Sequence, residues 1–203
     1  MAVLLHIDSS LFPLEASGSR QLTDAFRKAW EQAHPEGSVI YRDLAADPLP
    51  HLDIATVTAG SPPPLREELI AEYEKADVVL IGAPMYNFTI PSTLKAWLDQ
   101  IILMGRTFGE GVAPSGKRAV VAASRGGSYQ PGTPRAGFDH DTNYLRTVLG
   151  GGLGLDVEII TRELTLAATN PAMASLVPQA EESARQTLEQ AAESARQHAA
   201  LLA

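Results

Sequence analysis

Residues 78–92 read Val78-Val79-Leu80-Ile81-Gly82-Ala83-Pro84-Met85-Tyr86-Asn87-Phe88-Thr89-Ile90-Pro91-Ser92. Val78–Gly82 is apolar without alternation, the pattern of a strand buried on both faces of a parallel sheet. Pro91 then opens an apolar-striped stretch, Ser92–Leu103, since proline is tolerated in the first turn of a helix. A strand covered on both faces needs helices on either side, so this unit implies a βαβ repeat. Working outward, Val3–Ile7, Ala119–Ala123 and Val157–Thr161 are likewise near-continuous in Val, Ile, Leu and Ala rather than alternating. Ser38–Asp43 is more polar, as an edge strand can be.

Helical stretches lie between these strands. Ser19–His34 carries Leu22, Phe26, Ala29, Trp30 and Ala33 on one stripe. Leu65–Ala76 follows Pro62-Pro63-Pro64, and Asn143–Leu149 runs into Gly150-Gly151-Gly152, a helix stop. Pro178–Ala203 has a stripe of Ala180, Ala184, Leu188, Ala191, Ala195, Ala199 and Leu202, with Glu181 four residues before Arg185. Its seam is mostly alanine, so a helix covering the sheet is expected in preference to a coiled coil. Asp53–Pro64 is aperiodic and reads as a long loop. The expected architecture is a doubly wound five-stranded parallel sheet of order 2-1-3-4-5 with helices on both faces, in one domain spanning residues 1–203.

Composition excludes several classes of function. Sixteen Lys and Arg stand against twenty-four Asp and Glu, a net charge of −8, and no basic run is present. Nucleic acid and anionic membranes are therefore not expected partners. The absence of cysteine removes disulfides, thiolate metal sites and cysteine nucleophiles. His6, His34, His51 and His198 have no mutual metal-ligand spacing, and no metal is expected. No apolar stretch is long enough to span a bilayer, and the N-terminus lacks a signal-peptide pattern, so a soluble cytoplasmic protein is expected.

In a sheet of this order, ligands sit beyond the carboxyl ends of the strands where the order reverses. Three loops meet that description. The first, Asp8–Arg20, holds Ser9, Ser10, Ser17, Gly18 and Ser19 at the start of a helix, where hydroxyls and free N–H groups can bind a phosphate. The competing reading is that Ser17 or Ser19 only caps the helix. The second, Met85-Tyr86-Asn87-Phe88, offers ring faces and an amide edge to a flat heteroaromatic ligand, or else is core aromatics with a turn asparagine. In the third, Ser124-Arg125-Gly126-Gly127, the paired glycines either expose backbone N–H groups to a ligand or form a plain turn. No Walker or Rossmann glycine signature accompanies them. Together the three loops describe a site for a mononucleotide with a planar ring, and FMN fits.

The stretches Ser9-Ser10, Ser17-Gly18-Ser19, Ala83–Phe88 and Ser124–Gly127 resemble the FMN-dependent NADH-azoreductase and quinone reductase family. Arg42-Asp43-Leu44-Ala45 with Pro48, Leu94-Lys95 and Thr107-Phe108 add to the likeness. The resemblance implies a flavodoxin-like homodimer that uses NADH, or NADPH, to reduce quinones and azo compounds by a ping-pong route. It also implies that Ser10, Ser17 and Ser19 hold the phosphate and that Met85, Tyr86, Asn87 and Phe88 line the flavin. Ser124, Arg125, Gly126 and Gly127 would then contact its ring edge. Two departures stand out: the first loop is longer around Pro13–Ala16, and Arg20 replaces a neutral residue. Gly132–Asp141 and Arg162–Met173 match nothing specific.

For the chemistry, Arg125 is a candidate to stabilise the reduced cofactor, and Tyr129 and His140 are candidate proton donors, with water as the alternative. Two rival functions are a flavodoxin-type electron carrier, which the acidic charge would suit, and a serine hydrolase using Ser9 or Ser10. Segments Asp53–Pro64 and Thr107–Val112 are the expected dimer contacts.

Overall fold

The computed structural model describes residues 1–109, 112 and 116–202. Five parallel strands, β1 (Val3–Asp8), β2 (Ser38–Asp43), β3 (Val78–Pro84), β4 (Arg118–Ser124) and β5 (Asp156–Arg162), form one sheet in the order β2-β1-β3-β4-β5. This is the expected order. Helices α1 (Gly18–Ala33), α2 (Ile54–Thr58), α3 (Pro64–Lys75), α4 (Ser92–Ile101), α5 (Asp141–Leu145) and α6 (Val177–Ala200) connect and flank the strands.

Alternate strand side chains point to opposite faces, so the largely apolar strands feed two cores. On one face Leu5, Ile7, Val79, Ile81 and Val121 meet Leu69, Tyr73, Leu94, Trp97 and Leu145 of α3, α4 and α5. On the other, Leu4, Val78, Leu80, Val120 and Ala122 meet Leu22, Phe26 and Trp30 of α1 and Ala191, Ala195 and Ala199 of α6. The alanine stripe of α6 is thus a sheet-covering face, because small side chains let the helix lie close. Arg185 does not pair with Glu181; it bridges Glu182 at 2.7 Å and Glu189 at 2.9 Å, all on the exposed face.

Two local expectations are corrected. Asp53–Pro64 is not wholly irregular, because the Asp53 carboxylate accepts the Thr56 N–H at 2.7 Å and starts α2, a helix too short to show periodicity. Gly150–Gly152 do not stop a helix either. The chain continues from α5 in a wider, π-type winding through Gly152, and the turn comes at Gly154, whose φ is +68°. Gly152 serves packing instead, since a Cβ there would lie 2.4 Å from the Phe108 ring.

Candidate functional site

The sheet register aligns the carboxyl ends of β1, β3 and β4, with Asp8 beside Gly82 and Pro84 beside Ser124. The three sequence-selected loops therefore leave adjacent strands, and direct contacts join them. The Tyr86 hydroxyl accepts the Leu11 N–H at 3.1 Å and lies 3.5 Å from Ser10 Oγ, tying the second loop to the first. Met85 N–H donates to the Ser124 carbonyl at 2.8 Å, tying the second to the third. Gly18 closes the triangle: a Cβ on it would stand 3.1 Å from the Ser124 Cβ and 3.2 Å from the Thr165 methyl.

At the first loop, Ser17 and Ser19 are buried with their hydroxyl oxygens 3.2 Å apart at the N-terminus of the sixteen-residue α1. The Ser17 hydroxyl caps the helix by accepting the Arg20 N–H at 3.3 Å, so the capping reading is correct as far as it goes. The Gly18 and Ser19 N–H groups, in the first turn, have no acceptor within the helix. Two hydroxyls and these N–H groups thus share one helix N-terminus, the kind of donor set that binds a phosphate dianion. Ser10 Oγ accepts the Phe12 N–H at 3.2 Å. The insertion around Pro13–Ala16 forms a 3-10 turn over Leu14–Ala16.

The second loop is a two-residue hairpin. Tyr86 and Thr89 exchange backbone hydrogen bonds at 2.9 and 3.1 Å, and both central residues have positive φ, +50° at Asn87 and +70° at Phe88. This type I′ turn suits asparagine, but phenylalanine rarely adopts the left-handed region and pays about 1–3 kcal/mol there. The strain holds the Phe88 ring out of the core, exposed and 5.6 Å from the Phe138 ring. The core-aromatic alternative for Phe88 is therefore set aside. A cleft of about 650 Å³ beside this turn is lined by Tyr86, Asn87, Ile90 and Tyr144 among others.

The third loop is zipped to the residues that follow β5. Arg125 N–H donates to the Arg162 carbonyl at 2.9 Å, Thr165 N–H to the Arg125 carbonyl at 3.0 Å, and Leu164 N–H to the Gly127 carbonyl at 3.2 Å. A Cβ on Gly126 would fall 2.6 Å from the end of the Leu166 side chain. The Arg125 side chain turns inward, where it donates to Asp139 at 2.9 Å and stands 3.9 Å from Glu163 and 5.6 Å from the Tyr129 ring. Its charge is matched by those carboxylates, and the whole residue is buried, with its backbone N–H and carbonyl both engaged by the chain after β5. Tyr129 is buried behind the loop, its N–H donating to Glu163 at 2.8 Å. His140 is exposed, and its N–H donates to the Phe88 carbonyl at 3.2 Å.

Behind Arg125 lies an unusual carboxyl group. Asp141 is completely buried and neither of its oxygens has a hydrogen-bond partner. Burial pushes it up to about 7, with the Arg125 charge opposing and Asp139 adding to the rise. Asp139 goes the other way. Burial raises it, but the Thr142 hydroxyl and N–H and the Arg125 guanidinium outweigh that and hold it below the usual carboxylate range.

Glu163, Thr165, Leu166, Asp139 and Asp141 were not among the residues singled out from sequence. They follow β5 or lie at or just before the start of α5, and only the fold brings them behind the glycine loop.

Neither serine of the hydrolase alternative meets a histidine. Ser9 O–H donates to the Gly82 carbonyl at 2.6 Å, Ser10 is held by Phe12 and Tyr86, and His198 pairs with Glu158 at 3.0 Å. Among the described residues no group of three or more His, Cys, Asp or Glu is arranged for a metal, and no helix is long and apolar enough to cross a membrane.

The flavodoxin-like fold family matches residues 2–199. An FMN-dependent NADH:quinone oxidoreductase from Streptomyces coelicolor is 58% identical over 190 residues, covering 88% of this chain and 86% of that one. One of the same description from Streptomyces avermitilis is 54% identical and covers 97% of each chain. The crystal structure of an azoreductase from Bacillus anthracis superposes with a TM-score of 0.83 at 25% identity, covering 97% of this chain and 100% of that one. By fold, by site and by likeness along nearly its whole length, the chain belongs to the flavodoxin-like family that includes the FMN-dependent NADH:quinone oxidoreductases.

Proposed function

We propose that this protein is an FMN-dependent NAD(P)H oxidoreductase that reduces quinones and azo compounds, working as a cytoplasmic homodimer with residues 1–203 as a single domain. The observation that carries the reading is the mutual contact of the hydroxyl-rich, aromatic-amide and diglycine loops at one sheet edge. The relatives' names supply the substrate class.

FMN, when bound, would supply two-electron hydride-transfer chemistry between NAD(P)H and a quinone or azo acceptor. The protein positions it. Ser10, Ser17 and Ser19, with the Gly18 and Ser19 N–H groups, hold the phosphate, where charge-assisted bonds and the α1 dipole do the work of an absent lysine. Met85, Tyr86, Asn87 and Phe88 line the ring, the strained hairpin offering the Asn87 amide and an exposed aromatic face. Ser124, Arg125, Gly126 and Gly127 meet the ring edge through the backbone N–H groups of Gly126 and Gly127, while the Arg125 N–H is held by the Arg162 carbonyl and its guanidinium anchors the loop from behind. His140, at the exposed rim beside Phe88, is better placed to exchange a proton with an acceptor than the buried Tyr129, and water reaches the same rim.

A visible spectrum tests this reading. The purified protein is expected to be yellow, and NADH alone, with no reductase added, is expected to bleach it. A colourless protein that cannot be reconstituted with FMN overturns the reading, and a yellow one unaffected by NADH or NADPH would make it an electron carrier.

The dimer is supported by apolar side chains on α2 that nothing among the described residues covers: Ile54 is 77% and Val57 59% exposed. In the second expected contact, Thr107–Val112, residues Glu110 and Gly111 lie outside the described residues. Sedimentation is expected to give twice the mass of one chain, and replacing both Ile54 and Val57 with Asp to shift it to one. A parent chain that sediments only as monomer removes the proposal.

A further inference from the structure

Arg20, in the first turn of α1, sits at the centre of a partly buried polar cage. β1 and β2 end with Asp8 and Asp43 directly side by side, two carboxylates at neighbouring strand ends. Arg20 lies between them. Its Nη1 donates to Asp8 at 3.3 Å and to the Tyr41 hydroxyl at 3.2 Å, and its Nη2 to Asp43 at 2.8 Å. The same Nη2 donates to the Ser10 carbonyl at 2.8 Å.

The anchors are themselves immobile. Asp8 also accepts from the Thr23 hydroxyl at 2.9 Å and the Tyr41 hydroxyl at 3.1 Å, with His6 Nε2 at 3.4 Å. Gly82 leaves the room this carboxylate needs, since a Cβ there would fall 2.6 Å from Asp8 Oδ1. Asp43 accepts the Ala45 and Ala46 N–H groups at 3.0 and 3.3 Å. By contrast the loop that Arg20 reaches is exposed from Leu11 to Ala16, and Gln21 braces its far end through the Leu14 and Glu15 carbonyls, both at 3.1 Å.

We propose that Arg20 is a positioning residue for the phosphate site: its guanidinium locks the Ser10 carbonyl to Asp8 and Asp43 and so holds the extended β1–α1 loop in the shape that aims its hydroxyls at a phosphate monoester. The inference rests on the FMN reading given above. Arg20 acts by geometry and not as a free cation, because two carboxylates already outnumber its single charge.

The two explanations separate on substitution. Titrating the apoprotein by quenching of flavin fluorescence, with FMN and with riboflavin, reads the phosphate's share of binding as the ratio of the two affinities. Arg20→Gln is expected to weaken FMN about tenfold, the loss of roughly one charge-assisted bond, with riboflavin little changed. Arg20→Lys keeps the charge but cannot fork to four acceptors, and is expected to fall in the same direction. It carries the test alone if the glutamine variant does not fold. An unchanged ratio in both variants overturns the inference, as does full recovery in the lysine variant, which would make the charge sufficient. A parent protein that binds riboflavin as tightly as FMN would overturn the phosphate reading itself.

Discussion

Between pH 4 and pH 8 the stability of an Asp141→Asn variant is expected to gain on that of the parent by an amount on the order of 2–4 kcal/mol. The parent's carboxyl is completely buried without a hydrogen-bond partner and is pushed up to about 7 in the folded chain. In the unfolded chain it ionises at an ordinary value near 4. A group raised on folding stabilises the fold fully below its unfolded pKa, and that contribution is lost as pH rises through the folded one. Above about 7 the folded parent must hold a buried charge that only Arg125 opposes, with Asp139 already occupying that guanidinium. Asparagine has the same shape and never ionises, so its advantage is absent at low pH and complete above neutrality. Chemical denaturation of both proteins at several pH values measures the gap; a gap that does not change with pH would mean that Asp141 titrates normally. The consequence reaches the site, because Arg125 anchors the glycine loop from behind. Loosening at high pH should appear first in the Ser124–Gly127 backbone, where hydrogen exchange of Gly126 and Gly127 would report it.

The architecture was legible because strands buried on both faces cannot hide. Val78–Gly82 and Ala119–Ala123 have no polar position, Val3–Ile7 is interrupted only by His6 and Val157–Thr161 by Glu158 and Thr161, and prolines mark the starts of α3 and α4. What misled was glycine. Gly150–Gly152 read as a stop, but Gly152 is small for the sake of Phe108, more than forty residues away in sequence. The site divides in the same way. Its three loops announced themselves through local composition, serine around a helix start and glycine after a strand. The support beneath them did not. Asp139, Asp141 and Glu163 are ordinary acids in segments with no periodicity, and their meaning comes from converging on Arg125 after the chain has folded. Arg125 illustrates the limit: the motif marked the residue, but only packing reveals that its charge faces inward to Asp139 and Glu163.

Ser17→Ala is expected to weaken FMN binding ten- to a hundredfold, the equivalent of about 1.5–3 kcal/mol for one hydrogen bond to a charged group. The same hydroxyl caps α1 through the Arg20 N–H and lies 3.2 Å from Ser19 Oγ, so the alanine variant also loses a cap worth about 1 kcal/mol. The two losses must be told apart, and glycine does so. At an N-cap, glycine costs only a few tenths of a kcal/mol relative to serine, so Ser17→Gly should leave the apoprotein's unfolding midpoint nearly intact. It removes the hydroxyl all the same, and FMN affinity should fall as far as in the alanine variant. If capping were the whole role of Ser17, the glycine variant would bind FMN like the parent and the alanine variant would show only a small stability loss. Equal, large losses of FMN affinity in both variants, with riboflavin affinity preserved, would leave the phosphate as the only partner able to account for them.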